Sequence, residues 1–152
     1  MELDRRWIAS RIPHAGKMCL LDCVLSWDAT RIECRASSHR DADNPLRAHG
    51  RLGCACGVEY AAQAMAVHAT LAPPAAVRGA GYLIGLRSTV LHVARLDDIR
   101  SDLLVSAARI NGDKTAFVYE FELRDAGRTC LNGRATVLLD PNLSRATVQS
   151  SQ

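Results

Sequence analysis

The sequence predicts an α+β domain in which an antiparallel sheet of five to six strands wraps around one central apolar helix. Residues 54–72 are rich in alanine and carry almost no charge, which favours a helix that is buried on most of its sides. The chain after Gly81 is rich in β-branched and aromatic residues, which favours a run of antiparallel strands. Such a sheet curling around the single helix would bury both.

The first third of the chain predicts a short helix and a strand pair. Apolar residues at helical spacing indicate a helix over 3–12, which Pro13 ends. Residues 19–27 and 31–36 have the composition of two strands, and residues 28–30 form the turn between them. A polar loop then leads into the central helix.

Four further strands are predicted after the helix, over residues 83–94, 103–110, 115–123 and 129–139. Asn111-Gly112 is a strong hairpin signal, and Asp125-Ala126-Gly127 predicts a second turn. We therefore expect a single domain over residues 1–140 and a flexible polar tail over 141–152.

Composition and charge exclude several classes of function. The 152 residues carry 19 basic and 16 acidic side chains, and the net charge of +3 is spread along the chain, so we expect no nucleic-acid binding. No apolar run is long enough for a membrane span, and the first residues lack the apolar stretch of a signal peptide. We therefore expect a cytoplasmic protein.

The six cysteines do not have the spacing of a metal site, because the sequence contains no Cys-x-x-Cys pair. In the cytoplasm, thiols that pack as small apolar side chains are more common than disulfides. We expect neither a metal nor a cofactor.

Glu59 is the lone carboxylate of the apolar helix and stands near its start. It could face solvent, where the helix dipole favours a negative charge in the first turn. Alternatively, it could be a general acid or base in a partly buried site. Gln63 lies one turn further along the helix and could orient Glu59 through a hydrogen bond.

The start of the helix could provide an oxyanion-binding site. The backbone N–H groups of Cys56, Gly57 and Val58 would point outward if they are free, and could then stabilise an oxyanion. Gly53 and Gly57 would also let a ligand approach the backbone closely.

Two of the five histidines are candidates for a catalytic base. His14 follows Pro13 ahead of the first strand, and His49 lies in the polar loop. His68 on the helix and His92 in a strand are expected to be structural or solvent-facing.

Two stretches together resemble a known family. Residues 13–22, Pro-His-Ala-Gly-Lys-Met-Cys-Leu-Leu-Asp, resemble the opening motif of the hotdog 3-hydroxyacyl-ACP dehydratases of fatty acid synthesis. Residues 59–64, Glu-Tyr-Ala-Ala-Gln-Ala, resemble the central-helix signature of that family. The closer resemblance is to the divergent branch linked to aryl-polyene biosynthesis, the ApeP-like dehydratases, which carries a Pro-His-x-Gly-x-Met opening and an Asn-Pro-Leu-Arg loop, as at residues 44–47.

The chain departs from the fatty-acid enzymes at one catalytic position. Their histidine lies fourteen residues before the glutamate, where this chain has Pro45. His14 matches the opening histidine of the divergent branch, and His49 lies ten residues before Glu59. The resemblance therefore ranks Glu59 first, His14 second and His49 third as catalytic residues.

The resemblance implies the hotdog fold and a dehydratase that converts a 3-hydroxyacyl thioester on acyl carrier protein to the trans-2-enoyl thioester. A histidine would remove the C2 proton, and Glu59 would protonate the departing hydroxyl group. It also implies a homodimer, or a heterodimer with a second hotdog subunit. Two alternatives remain open: a catalytically weak subunit that binds acyl chains or completes a partner's site, and an acyl thioesterase.

Overall fold

The apolar segment forms the long helix that the sequence predicts. The computed structural model describes residues 3–14, 16–72, 81–113 and 116–139. Helix α2 spans Gly57–Leu71, and a 3₁₀ turn over Cys54–Cys56 precedes it. The short N-terminal helix α1 spans Arg5–Ala9 and begins where the Asp4 side chain accepts a hydrogen bond from the Trp7 N–H.

Six strands form one antiparallel sheet, as the sequence predicts. Their order in the sheet is β1-β2-β4-β5-β6-β3, and every neighbouring pair is antiparallel. The arrangement of this sheet around α2 is the α+β hotdog fold. The strands are β1 (Cys23–Trp27), β2 (Arg31–Ala36), β3 (Gly81–Leu91), β4 (Leu103–Gly112), β5 (Ala116–Asp125) and β6 (Arg128–Leu139).

Alternate strand residues build the core against α2. Along β4 and β5, buried and more exposed residues alternate, as expected for strands with one face on a helix. Tyr60, Ala61, Ala64 and Met65 of the helix are buried among these strand residues. The helix is therefore held mainly by apolar burial.

The hairpin turn predicted at Asn111-Gly112 is wrong. Both residues belong to β4, where Asn111 pairs with Val118 and Gly112 pairs with Phe117. Just after the end of β4, the Asp113 N–H donates to the carbonyl oxygen of Ala116. Gly112 is required here because a Cβ atom would lie 2.2 Å from the Phe117 ring.

The two edges of the sheet differ. The outer edge of β1 is partly covered, because the Val24 N–H donates to the Leu3 carbonyl oxygen and Cys23 bridges to Asp4. In the described ranges, β3 has a strand partner on one side alone. Its exposed apolar side chains, between 39% and 50% accessible, are those of Leu83, Leu86, Val90 and Leu91.

The tail predicted over 141–152 lies outside the described residues, so the predicted end of the domain stays a prediction. Among the described helices, none is long and apolar enough to cross a membrane.

Two histidines are buried in the core as hydrogen-bonding groups. His68 of α2 bonds through Nδ1 to the Tyr119 hydroxyl at 2.9 Å and through Nε2 to the Asp28 carbonyl oxygen at 2.9 Å. His39 bonds through Nε2 to the carbonyl oxygens of Ile99 and Ser101. Burial lowers the pKa of both imidazoles, because it disfavours the charged form.

This burial predicts that stability falls on mild acidification. The unfolded chain protonates these histidines near their usual pKa of 6.5, whereas the folded chain does so only at lower pH. Their neutral forms therefore stabilise the fold fully above that pKa, and the contribution is lost as pH falls below it. We expect the melting temperature to fall between about pH 7 and pH 5, and His68→Gln to flatten this dependence.

His92→Gln is the control for that measurement. His92 is exposed and bonds to Asn132 at the surface, so its replacement should leave the pH dependence of the melting temperature as it is in the wild type. Equal flattening in the two variants would contradict the assignment to the buried ring.

Candidate active site

His14 and Glu59 lie in direct contact. The Nε2 atom of His14 is 3.0 Å from Oε1 of Glu59, and the two side chains are 28% and 35% exposed. Glu59 stands in the first turn of α2, and His14 stands in the segment between α1 and the 3₁₀ turn at Gly16–Met18. An acid and a base that touch each other and remain accessible from outside form the candidate active site.

Close packing fixes the start of the helix that carries Glu59. A Cβ atom on Gly57 would lie 2.7 Å from Leu131 and 2.9 Å from Leu123. Glycine is thus needed because the helix packs closely against β5 and β6. The expectation that Gly57 lets a ligand approach the backbone is therefore wrong, because strand side chains occupy that space. At Gly53, in contrast, an added Cβ would meet open space.

Gln63 holds the His14 segment rather than Glu59. Its Oε1 accepts from the Leu20 N–H at 2.9 Å, and its Nε2 donates to the Met18 carbonyl oxygen at 2.6 Å. The side chain is fully buried. The expectation that Gln63 orients Glu59 by a hydrogen bond is therefore wrong, because both ends of the amide bond to the backbone that follows His14.

The two ring nitrogens of His14 have different surroundings. Nε2 faces Glu59, whereas Nδ1 is buried and has no hydrogen-bond partner among the described residues. Catalytic and metal-binding imidazoles usually have a partner on the second nitrogen that fixes the tautomer. Here Glu59 is the only partner that fixes it within the described part of the chain.

The helix start does not present the three free N–H groups that the sequence predicts. The Cys56 N–H donates to the Gly53 carbonyl oxygen at 3.0 Å, and the Gly57 N–H bonds to the carbonyl oxygens of Cys54 and Ala55. The 3₁₀ turn thus consumes two of the three donors. Val58 follows them inside α2, and its side chain packs against the core.

His49 lies at the tip of a two-residue turn. His49 and Gly50 both have positive φ, at 54° and 75°, and Ala48 and Arg51 hydrogen-bond to each other across them. His49 is exposed, and the described contacts include none between it and Glu59. Of the two candidate histidines, the structure brings His14 alone to Glu59.

A buried network that the sequence analysis missed anchors the Asn-Pro-Leu-Arg loop to the helix. The Tyr60 hydroxyl lies 2.8 Å from the Ser38 hydroxyl and accepts from Asn44 Nδ2 at 3.0 Å. Asn44 Nδ2 also donates to the Ser38 carbonyl oxygen, and its Oδ1 accepts from the Leu46 N–H. Burial raises the pKa of Tyr60, so this hydroxyl stays protonated. The signal in the sequence was Asn44 itself, a polar residue in a motif shared with the resembling family.

Asp97 orders the far end of the same loop. Its carboxylate accepts from the Leu52 N–H at 2.9 Å and pairs with Arg95. The hydrogen bonds from Arg95 hold the pKa of Asp97 well below its usual range. Arg47 lies 4.0 Å from this carboxylate and donates to the His39 carbonyl oxygen, so Arg47 and Arg95 serve the loop.

No metal centre is present in the described part of the chain, where no three His, Cys, Asp or Glu side chains are grouped as ligands. Two cavities of about 310 and 320 Å³ lie on the outer face of the sheet and beside Asn44, and neither is lined by His14 or Glu59.

The Gln63 contacts make a testable prediction about stability. Gln63→Leu keeps the volume but leaves the Leu20 N–H and the Met18 carbonyl without their partner, and each unpaired buried group costs about 1–3 kcal/mol. We therefore expect urea unfolding to show a loss of about 2–6 kcal/mol for the two groups together. Thr70→Val on the same helix, which removes only a local bond to Val67, should change the free energy of unfolding by less than about 0.5 kcal/mol.

Comparisons with known proteins identify the family of the chain and similar folds. The family model described as "ApeP-like: ApeP dehydratase" matches residues 7–148. A solved structure of the dehydratase heterocomplex ApeI:P from Xenorhabdus doucetiae is 22% identical, with a TM-score of 0.75 over 88% of this chain and 90% of that chain. Zebra fish thioesterase superfamily member 2 is 16% identical, with a TM-score of 0.64 over 90% and 93% of the two chains.

A thioesterase-like structure from a bacterium extends the comparison. The putative thioesterase from Shewanella oneidensis is 16% identical, with a TM-score of 0.61 over 89% of this chain and 93% of that chain. At these identities the solved structures establish the fold alone. No curated protein matches the chain.

Proposed function

Because the chain belongs to the ApeP-like dehydratase family, we propose that it removes water from a 3-hydroxyacyl thioester carried on acyl carrier protein and forms the trans-2-enoyl thioester. The contact of 3.0 Å between His14 and Glu59 supports this proposal. Dehydration needs the C2 proton to be taken from the substrate and the departing C3 hydroxyl to be protonated. A touching imidazole and carboxylate can supply both, and they need no metal or redox cofactor.

The His14–Glu59 pair is accessible to a substrate that is delivered from outside the chain. Both side chains are partly accessible, so a thioester can reach them from the surface. Arg51 and Arg87 are exposed and can attract an acidic carrier protein, because complementary charge steers association. We propose both that the substrate is an acyl thioester and that acyl carrier protein delivers it.

Glu59→Gln tests this function directly. The amide keeps the size of the side chain but cannot transfer a proton, so we expect turnover of a carrier-bound 3-hydroxyacyl thioester to fall by about 10²–10⁴-fold. Mass spectrometry of the carrier protein would follow the loss of one water. Glu33→Gln, the same change on β2 away from the pair, should leave turnover at the wild-type level.

Equal activity in Glu59→Gln and the wild type would contradict the catalytic assignment. Release of a free acid from the carrier, instead of an enoyl thioester, would favour the thioesterase alternative. Two thioesterase structures share the fold, so the assay should monitor both products.

We further propose that a second hotdog chain, either a copy of this chain or a different subunit, covers the free edge of β3. Among the described side chains of that strand, four apolar ones are exposed, and an open apolar edge favours pairing with another strand. The related structure from Xenorhabdus doucetiae is a heterocomplex. A subunit that completes a partner's site is therefore the second candidate function, and activity that appears only on mixing the two chains would support it.

Leu86→Lys tests the covered edge. A charge placed on this exposed leucine should weaken association, so sedimentation should shift toward the mass of one 16.5 kDa chain. Leu25→Lys is the matched control, because Leu25 is similarly exposed but lies on β1 at the opposite edge. Loss of association in the Leu25 variant alone would place the interface at β1 instead.

A further inference from the structure

The two nitrogens of His14 indicate where its proton resides. A proton on Nε2 makes a charge-assisted hydrogen bond to the Glu59 carboxylate, 3.0 Å away. A proton on Nδ1 would be buried without an acceptor among the described residues, and it would turn the bare Nε2 lone pair toward the lone pairs of that carboxylate. The first arrangement is therefore favoured while Glu59 is ionised.

A histidine that acts as a base through Nε2 needs the other tautomer. Its Nε2 must be bare before it accepts a proton, so its own proton must lie on Nδ1. In His14 that proton would be buried without a partner among the described residues. The local geometry therefore opposes the tautomer that a base at Nε2 requires.

We propose that Glu59 handles both protons of the dehydration and that His14 is a positioning residue, an inference that rests on the proposed function. The Nε2–H of His14 holds Oε1 of Glu59, and we assign Oε2 to the substrate. The carboxylate takes the C2 proton, and the electron pair of the C2–H bond becomes the second bond between C2 and C3. The C3–O bond breaks, its electron pair leaves with the hydroxyl group, and Glu59 returns the proton to that oxygen as water forms.

In this assignment a single carboxyl group, that of Glu59, takes up and returns the proton. Glu59 is a carboxylate before the reaction and after it, so no proton has to pass through His14 to reset the site. The electron pair of the C2–H bond forms the new C2–C3 bond, and the electron pair of the C3–O bond leaves with the oxygen. No oxidant or reductant is required. The histidine is needed because it fixes the direction of the carboxylate.

His14→Gln and His14→Ala separate the two roles. The Gln amide can donate a hydrogen bond to Glu59 but cannot act as a base, so we expect it to lose less than about tenfold in kcat. The alanine variant loses the donor, and a misplaced catalytic group typically costs about 10²-fold. His49→Asn is the control, since asparagine tolerates the positive φ of that turn, and it should match the wild type.

The pH profile of kcat/KM distinguishes a base from a positioning residue. In the wild type and in His14→Gln, kcat/KM should follow the same single ionisation. Equal inactivity of His14→Gln and His14→Ala, or a limb of the profile that disappears in His14→Gln, would overturn the proposal and make His14 the base.

The position of the proton can be measured without turnover. In wild-type protein labelled with ¹⁵N at histidine, we expect the Nε2 of His14 to be protonated and Nδ1 to be bare. A protonated Nδ1 would overturn the assignment, whether or not the protein is active on the substrate tested. Absence of dehydration by the wild type, alone and with a partner, would overturn the proposed function and the role of Glu59 with it.

Discussion

Burial of α2 is the constraint on which the rest of the structure depends. The helix is apolar enough to be the core of the sheet, but Tyr60, Gln63 and His68 bring polar groups into that core. A buried polar group costs free energy unless it is hydrogen-bonded. Each of these three side chains bonds to a different part of the chain, so the helix ties the surrounding segments together while it satisfies its own polar groups.

The hydrogen bonds of these three side chains have different roles, because one stabilises the fold and two position the site. His68 bonds to Tyr119 of β5 and to the turn after β1, which holds the far end of the helix in the sheet. Tyr60 fixes the loop around Asn44, and Gln63 fixes the segment after His14. Glu59 lies between Tyr60 and the helix start, so the residues that secure the helix also set where its carboxylate meets the imidazole.

The sequence was sufficient for the fold because periodicity and composition report burial directly. The alanine-rich segment and the alternating strands could be identified without tertiary contacts. The hairpin at Asn111-Gly112 was misplaced because pairing with Val118 and Phe117 outweighs a local turn preference, which is a tertiary effect. The donors at Cys56 and Gly57 were misjudged for a similar reason, since helix propensity does not reveal a preceding 3₁₀ turn that consumes them. Gln63 was singled out because it lies one helical turn after Glu59, but its partners lie 43 and 45 residues away, and helical spacing cannot reveal such partners.

The two bonds from Gln63 go to backbone atoms, and this determines how the His14 segment can vary. The Met18 carbonyl and the Leu20 N–H are present for every side chain except a proline at position 20, so the contact otherwise does not select residue types. It does select spacing, because an inserted or deleted residue between Pro13 and Met18 would bring a different peptide group to Gln63 or displace the imidazole from Glu59. The two bonds therefore constrain the length of the segment. Substitutions between His14 and Met18 should be tolerated far better than changes in the number of residues, except at Gly16, whose positive φ of 59° favours glycine.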